Sequence, residues 1–200
     1  YRFRRRRNCL AAWHNNVTIW DKEFIMAVWN VINHQELSGD AASVTFSSIP
    51  ASYDHLCLKI SARTDGSNPT QFLNYQFNND TGSNYGRVAW TANTSTPTHA
   101  YSASETLATY NYINGGGATA NMFSTVEAWI INYSNTSYYK QVFSQSHAAS
   151  TSVTDSYWGL RQAAANWNNT AAISEIDVIT DASNFVQYST FTLYGINGAG

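Results

Sequence analysis

Two acidic side chains near the C-terminal end of the chain are the candidates for acid–base chemistry. From Glu175 to Val178 the acidic and apolar residues alternate, so a β-strand would place Glu175 and Asp177 on one face. Two carboxylates that share a face can supply the nucleophile and the acid for glycoside hydrolysis. The competing interpretation is a strand that exposes both carboxylates to water while Ile176 and Val178 face the core.

The spacing of these acids resembles the E-x-D-x-x-E pattern of one class of β-jelly-roll glycoside hydrolases, but only in part. The third acidic position is occupied by Thr180, and Asp181 follows one residue too late. Short acidic motifs of this kind arise often by chance. We therefore expect a protein that is not an enzyme, and hydrolysis through Glu175 and Asp177 is the less favoured alternative.

Other patterns that support catalysis or metal binding do not occur in the sequence. No two histidines have the i, i+2 or i, i+4 spacing that would place two ligands on one metal ion; the five are His14, His34, His55, His99 and His147. No serine lies in a G-x-S-x-G motif, and the glycines at 115–117 lack the lysine or helix start of a phosphate-binding loop. The sequence predicts neither a metal site nor a cofactor.

The charge of the chain is low and unevenly distributed. Charged residues are 12% of the 200 residues, and five of the eleven basic ones lie in the first seven positions. From Met26 onward five basic residues stand against eleven acidic ones, a net charge of −6 that does not suit nucleic acid. No apolar run approaches the roughly 20 residues of a membrane span. We expect neither nucleic acid nor membrane as a partner.

The first 25 residues differ in character from the rest and are interpreted as an N-terminal basic arm or as an upstream extension of the reading frame, with Met26 as the native start. If the arm is genuine, Arg4, Arg5, Arg6 and Arg7 are candidates to anchor it to an acidic neighbour. The alternative is a solvated basic terminus. Residues 26–200 are expected to form one domain.

Short alternating segments predict an all-β fold for that domain. Apolar residues recur at every second position in segments such as Leu56 to Ile60 and Leu73 to Phe77, and no helical period of 10 to 15 residues occurs. We expect a single β-sandwich of jelly-roll type with roughly eight to ten short antiparallel strands and an irregular N-terminal arm. Residues 100–113 are predicted as one exposed strand flanked by mobile loops, and residues 163–168 as a loop in which Trp167 plugs one end of the sandwich.

Aromatic residues are too numerous for one small core. The chain has 13 Tyr, 7 Trp and 9 Phe, and Tyr and Trp are favoured in protein interfaces and on sugar-binding surfaces. Of the eleven Tyr and Trp residues from Trp90 to Trp167, we expect at least half in the core or as plugs at the ends of the barrel. The surplus predicts partner contacts through five tyrosines: Tyr101, Tyr110, Tyr112, Tyr138 and Tyr139.

Four segments carry a resemblance to a known group of proteins. They are SVTFSSIPASYDHLCLKISARTD at 43–65, FNNDTGSNYGR at 77–87, WNNTAAISEIDV at 167–178 and NFVQYSTFTLYGI at 184–196. In this order they resemble small virion structural proteins of aquatic tailed bacteriophages. The resemblance implies a jelly-roll-type particle component, used in capsid decoration or associated with the tail, and it implies no catalytic residues.

A capsid decoration or cement protein on the virion surface, assembled in the host cytoplasm, is the predicted function. The absence of sequence repeats and heptads favours a compact cement subunit over a fibre. The predicted partners are the major capsid protein or other virion proteins and further copies of the chain, with a trimer as one option. The alternative is a tail or head-fibre receptor-binding module that binds a host surface glycan through loops at 91–121 and 146–156.

Overall fold

The computed structural model of the protein describes residues 29–93, 97–149 and 159–197. These residues form twelve β-strands and no helix, so the all-β prediction is confirmed and the expected count of eight to ten strands is too low. The strands are β1 Trp29–Glu36, β2 Ser43–Phe46, β3 His55–Ala62, β4 Thr70–Phe77, β5 Tyr85–Asn93, β6 Thr98–Glu105, β7 Ala108–Asn114, β8 Ser124–Ile131, β9 Lys140–Ala148, β10 Gly159–Trp167, β11 Ile176–Thr180 and β12 Thr190–Ile196.

The strands belong to two antiparallel sheets of unequal width that pack face to face as a β-sandwich. The large sheet has the order β1-β12-β3-β8-β9-β10-β5-β6, and the small sheet has the order β2-β11-β4-β7. Because the large sheet has twice as many strands, the small sheet covers only part of its inner face. The arginine residues 4–7 and the rest of the arm lie outside the described residues.

The core between the sheets is built from the predicted alternation. Every second residue of β3, β4 and β8 points inward and is buried: Leu56, Leu58, Ile60, Leu73, Tyr75, Phe77, Val126, Ala128 and Ile130. These side chains remove apolar surface from water, which is the main driving force for folding. The opposite faces of the same strands are therefore free to carry function.

Two predictions about the irregular segments are wrong. Residues 100–113 are not one exposed strand: they divide between β6 in the large sheet and β7 in the small sheet, separated by a bend at 106–107. The alanine-rich residues 163–167 are not a loop but the second half of β10, which pairs with β9 on one side and β5 on the other. Alanine has low β-propensity, and here the pairing on both sides overrides it.

The turn after β4 begins with two asparagines and holds a carboxylate. Asn78 and Asn79 adopt positive φ angles of 51° and 55°, which asparagine tolerates better than most residues. Asp80 then accepts hydrogen bonds from the Gly82 amide at 2.9 Å and from Trp167 Nε1 at 2.7 Å. Burial raises the pKa of Asp80, but the hydrogen bonds from Trp167, from the neighbouring amide side chain at position 84 and from Gly82 outweigh it and hold the pKa below its usual range.

This low pKa makes the stability of the fold sensitive to acid. The unfolded state takes up the Asp80 proton near pH 4, whereas the folded state takes it up only at lower pH, so this part of the stability is lost as the pH falls from about 5 through the folded pKa. We expect Asp80→Asn to be less stable than the wild type at pH 6 and to lose less stability between pH 6 and pH 3. Urea unfolding at both pH values measures this, and equal acid sensitivity in the two proteins would contradict it.

Candidate functional site

A row of apolar side chains crosses the outer face of the large sheet. The registers of the paired strands align one residue from each of the eight strands, and none of the eight is charged. We call this the apolar row: Val31, Tyr194, Cys57, Trp129, Phe143, Ala164, Val88 and Tyr101. Seven spacings of about 4.8 Å between strands make the row about 34 Å long.

This face carries most of the large hydrophobic side chains that the described residues expose to water. Of the eleven exposed large hydrophobic side chains among the described residues, eight lie on it: Trp29, Val31, Val88, Trp90, Tyr101, Ile131, Phe143 and Leu160. Phe143 is 50% exposed and Tyr101 is 83% exposed. Scattered single apolar residues are ordinary on a protein surface, whereas a contiguous set marks an interaction site.

The central part of the row lies in a groove of about 590 Å³. The groove crosses five strands, from Trp129 on β8 to Tyr101 on β6, and the small residues Gly86 and Ala164 lie between its ends. A Cβ atom at Gly86 would lie 2.6 Å from Asn166 Oδ1, so only glycine leaves this space unchanged. The groove can therefore accept atoms of another molecule.

Polar contacts hold the ring of Trp129 in place. Its Nε1 donates to Glu127 Oε1 at 2.6 Å, and Lys59 Nζ donates to the other oxygen of the same carboxylate. Burial raises the pKa of Glu127, but the hydrogen bonds from Lys59 and Trp129 outweigh it and hold the pKa below its usual range. The ring also meets Trp29 edge to face, with 5.3 Å between the ring centroids. A ring fixed in this way loses little freedom when a partner binds.

The cysteine of the row contributes as a small apolar side chain. Cys57 is a free thiol with no exposed surface, lying between Tyr194 and Trp129 in the row. Burial raises the pKa of Cys57 to about 12, so the thiol stays protonated at neutral pH. Cys9 lies outside the described residues.

The five tyrosines predicted to contact a partner fall into two groups. Tyr101 ends the apolar row. Tyr138 and Tyr139 line a neighbouring cavity of about 460 Å³, and Ile131 and Gln141 line both this cavity and the groove. The other two, Tyr110 and Tyr112, lie on β7 in the small sheet and contact two arginine side chains. Their role in partner binding stays a prediction for all five.

The acidic pair Glu175 and Asp177 lies away from the four cavities described by the structure. Glu175 precedes β11 and accepts a hydrogen bond from Asn79 Nδ2, whereas Asp177 lies within β11 and accepts one from Thr45 Oγ1 at 2.5 Å. The expectation that both face water is wrong for Asp177, which is 8% exposed because β2 and β4 pair on either side of it. Ile176 and Val178 do face the core.

The loops predicted to bind a glycan are largely strands. Most of residues 91–121 belong to β5, β6 and β7, and residues 146–148 belong to β9; residues 150–156 lie outside the described part of the chain. The residues that the sequence analysis missed are Trp129, Phe143 and Val88. The alternation within each strand predicts that these three side chains point outward. Their alignment in one row follows only from the pairing of the strands.

Two absences hold for the residues that the structure describes. Within 29–93, 97–149 and 159–197, no helix is long and apolar enough to cross a membrane. In the same ranges no three His, Cys, Asp or Glu side chains come together as a group of metal ligands.

Comparisons of the chain with protein families, with curated proteins and with solved structures found no match. The function is therefore inferred from the residues themselves.

Proposed function

We propose that this chain is a bacteriophage virion structural protein, a capsid decoration subunit that binds the outer shell through the apolar row. The observation that carries the proposal is the row itself, one uncharged side chain from each of eight strands on a single exposed face. The resemblance of four sequence segments to virion proteins of aquatic phages supports the same assignment. The partners are then the major capsid protein and further copies of this chain.

The side chains beside the row suit a protein partner. The next aligned positions include Lys59, Glu127, Gln145 and Gln162, and the first two pair with each other. An apolar centre with hydrogen-bonding groups at its border is the usual arrangement of an interface between proteins. The amide groups can bond to a partner without the cost of removing unpaired charges from water.

The strand order supports the jelly-roll architecture of this proposal. Without β5, β6, β9 and β10, the two sheets have the orders β1-β12-β3-β8 and β2-β11-β4-β7, four strands each. The hairpins β5–β6 and β9–β10 are then insertions that widen one sheet of an eight-stranded jelly roll. Half of the apolar row, from Phe143 to Tyr101, lies on these inserted strands. The insertions therefore supply half of the proposed binding face.

Replacing Phe143 by glutamine is expected to weaken binding to the shell at least tenfold. The ring is half exposed at the centre of the row, and aromatic anchors of this kind account for most of the binding energy of interfaces. The measurement is cosedimentation of the purified protein with shells of the major capsid protein that lack this subunit. Tyr188→Gln is the matched control, since Tyr188 is 64% exposed and lies outside the row. Equal binding of the two variants would contradict the proposal.

A receptor-binding module for a host glycan is the second candidate function. The groove favours it, because aromatic rings at Trp129 and Tyr101 stand beside the side-chain amides of Gln141 and Asn166. Rings contact the apolar faces of sugars, and amides bond to their hydroxyl groups. Saturable binding of a neutral oligosaccharide that Phe143→Gln abolishes, together with unchanged binding of that variant to shells, would favour this candidate over decoration.

A further inference from the structure

A second cavity lies on the inner side of the large sheet, at the open edge of the sandwich. The strands β5 and β6 end the large sheet, and β7 ends the small sheet. Between them is a space of about 300 Å³, lined by Arg87, Arg161, Glu105, Tyr110, Ser102 and Ala100 among others. With two arginines and one glutamate in its lining, the cavity has one positive charge in excess.

Arg161 is buried there, and no carboxylate of the described residues pairs with it. The residue is 4% exposed, its Nη1 donates to Thr91 Oγ1 at 2.9 Å, and its Cζ lies 4.3 Å from the centre of the Tyr112 ring. Its Nε has no hydrogen-bond partner, and Arg161 forms no ion pair among the described residues. Within the described part of the chain, this guanidinium therefore contacts neutral groups.

Arg87 forms an ion pair with Glu105, the carboxylate that lines the cavity. Its Nη2 lies 2.9 Å from Glu105 Oε1, and its Cζ lies 3.6 Å from the centre of the Tyr110 ring. Burial raises the pKa of Asp181. The positive charge of Arg87 and a hydrogen bond from Asn74 act in the opposite direction but do not outweigh the burial. Among the residues that the structure describes, Arg87 has a counter-charge and Arg161 has none.

A buried charge is normally paired, or it is lost through a change of protonation. Arginine does not have the second option, because its guanidinium holds its proton at any pH at which proteins fold. The fold therefore leaves one positive charge, desolvated and beside open space, with nothing from the described chain to balance it. A bound anion would supply the missing charge.

We propose that this cavity binds the oxyanion group of a small ligand, a carboxylate or a phosphate, and that Arg161 supplies the attracting charge with Arg87 beside it. The volume of about 300 Å³ suits a ligand no larger than a monosaccharide. The cavity shares Tyr101 with the apolar row, but its two arginines alternate with the residues of the row and point to the opposite face of the sheet.

The test is a titration of the full chain with inorganic phosphate and with glucuronate, each at an ionic strength held constant with sodium chloride. A ligand that binds only the folded state raises the unfolding temperature, and we expect a saturable rise of about 5 °C with at least one of the two anions. A response to phosphate alone assigns the site to phosphate groups, and a response to glucuronate assigns it to carboxylates. No saturable rise with either anion would overturn the proposal.

Arg161→Met removes the charge and keeps much of the side-chain volume, so we expect this variant to fold and to show no response to either anion. Lys59→Met is the matched control, because it removes a cation from the outer face and should leave the response unchanged. An equal response of Arg161→Met and the wild type would overturn the proposal. NMR of the arginine Nε–H groups in the wild type provides a readout that needs no variant: the Arg161 signal should shift saturably with the anion, and an unchanged signal would contradict binding there.

Discussion

Replacing Trp167 by alanine is expected to lower the free energy of unfolding by about 4 kcal/mol, the largest effect of any single change considered for this fold. Trp167 ends β10 and is 1% exposed. Its ring stacks on Tyr85 with 6.4 Å between the centroids, and it lies 5.7 Å from the ring of Phe77. Alanine would leave a cavity between two sheets and would take one donor away from the Asp80 carboxylate.

Trp90→Ala is the matched control for this prediction. Trp90 lies on the outer face of the same large sheet and is 44% exposed. The same truncation should therefore lower the free energy of unfolding by less than about 1 kcal/mol. Urea unfolding of both variants, followed by fluorescence and circular dichroism, measures the difference. Similar losses for Trp90→Ala and Trp167→Ala would show that Trp167 does not hold the sandwich end together.

Replacing Arg63 by alanine is expected to lower the free energy of unfolding by about 3 kcal/mol, because this side chain donates hydrogen bonds to the loop between β7 and β8. Its Nη1 donates to the carbonyl oxygens of Thr119 at 2.6 Å and Met122 at 3.3 Å. Its Nη2 donates to those of Gly116 at 3.2 Å and Ala118 at 3.0 Å. Hydrogen bonds from a charged donor are each stronger than neutral ones, but part of this site is open to water, which limits the loss.

Arg63→Lys distinguishes the geometry of the guanidinium from its charge. A lysine has one nitrogen in place of the planar fork and cannot reach four carbonyl groups at once, so it should recover less than half of the lost stability. Hydrogen exchange should rise in residues 115–122 in both variants and remain unchanged in β3 and β8. An Arg63→Ala protein as stable as the wild type, with unchanged exchange in the loop, would contradict this role.

The part of the fold that could be predicted from the sequence is the part governed by local alternation. In β3, β4 and β8 the inward residues are Leu, Ile, Val, Ala, Tyr and Phe at every second position, and the strands form where this pattern occurs. The turn at Asn78 and Asn79 was predictable for an equally local reason, since asparagine tolerates positive φ.

Pairing between strands that are distant in sequence determines the structure of the segments that local sequence patterns do not predict. All of β6 lies at an edge and has little burial on either face, while β7 is nearly buried throughout, so neither shows the alternation of a half-buried strand. In β10 the alanines are held by neighbours on both sides. Burial of Arg161 depends on the same pairings and has no sign in the local sequence.

The candidate site was only partly predictable for the same reason. The excess of aromatic residues in the sequence indicates Tyr101, Tyr138 and Tyr139; Tyr101 ends the apolar row, and the other two line the neighbouring cavity. Nothing in the local sequence distinguishes Trp129 and Phe143 as site residues, because the register between β8 and β9 is what aligns them. A row with one residue from each strand is a property of the assembled sheet.

A cryo-EM reconstruction of the intact virion tests the central claim most directly. We predict density for this chain at regular lattice positions over the shell, with the outer face of the large sheet, including Trp129 and Phe143, against the capsid protein. Density confined to the tail or to a single vertex, or a shell-bound subunit whose apolar row faces the solvent, would contradict the claim.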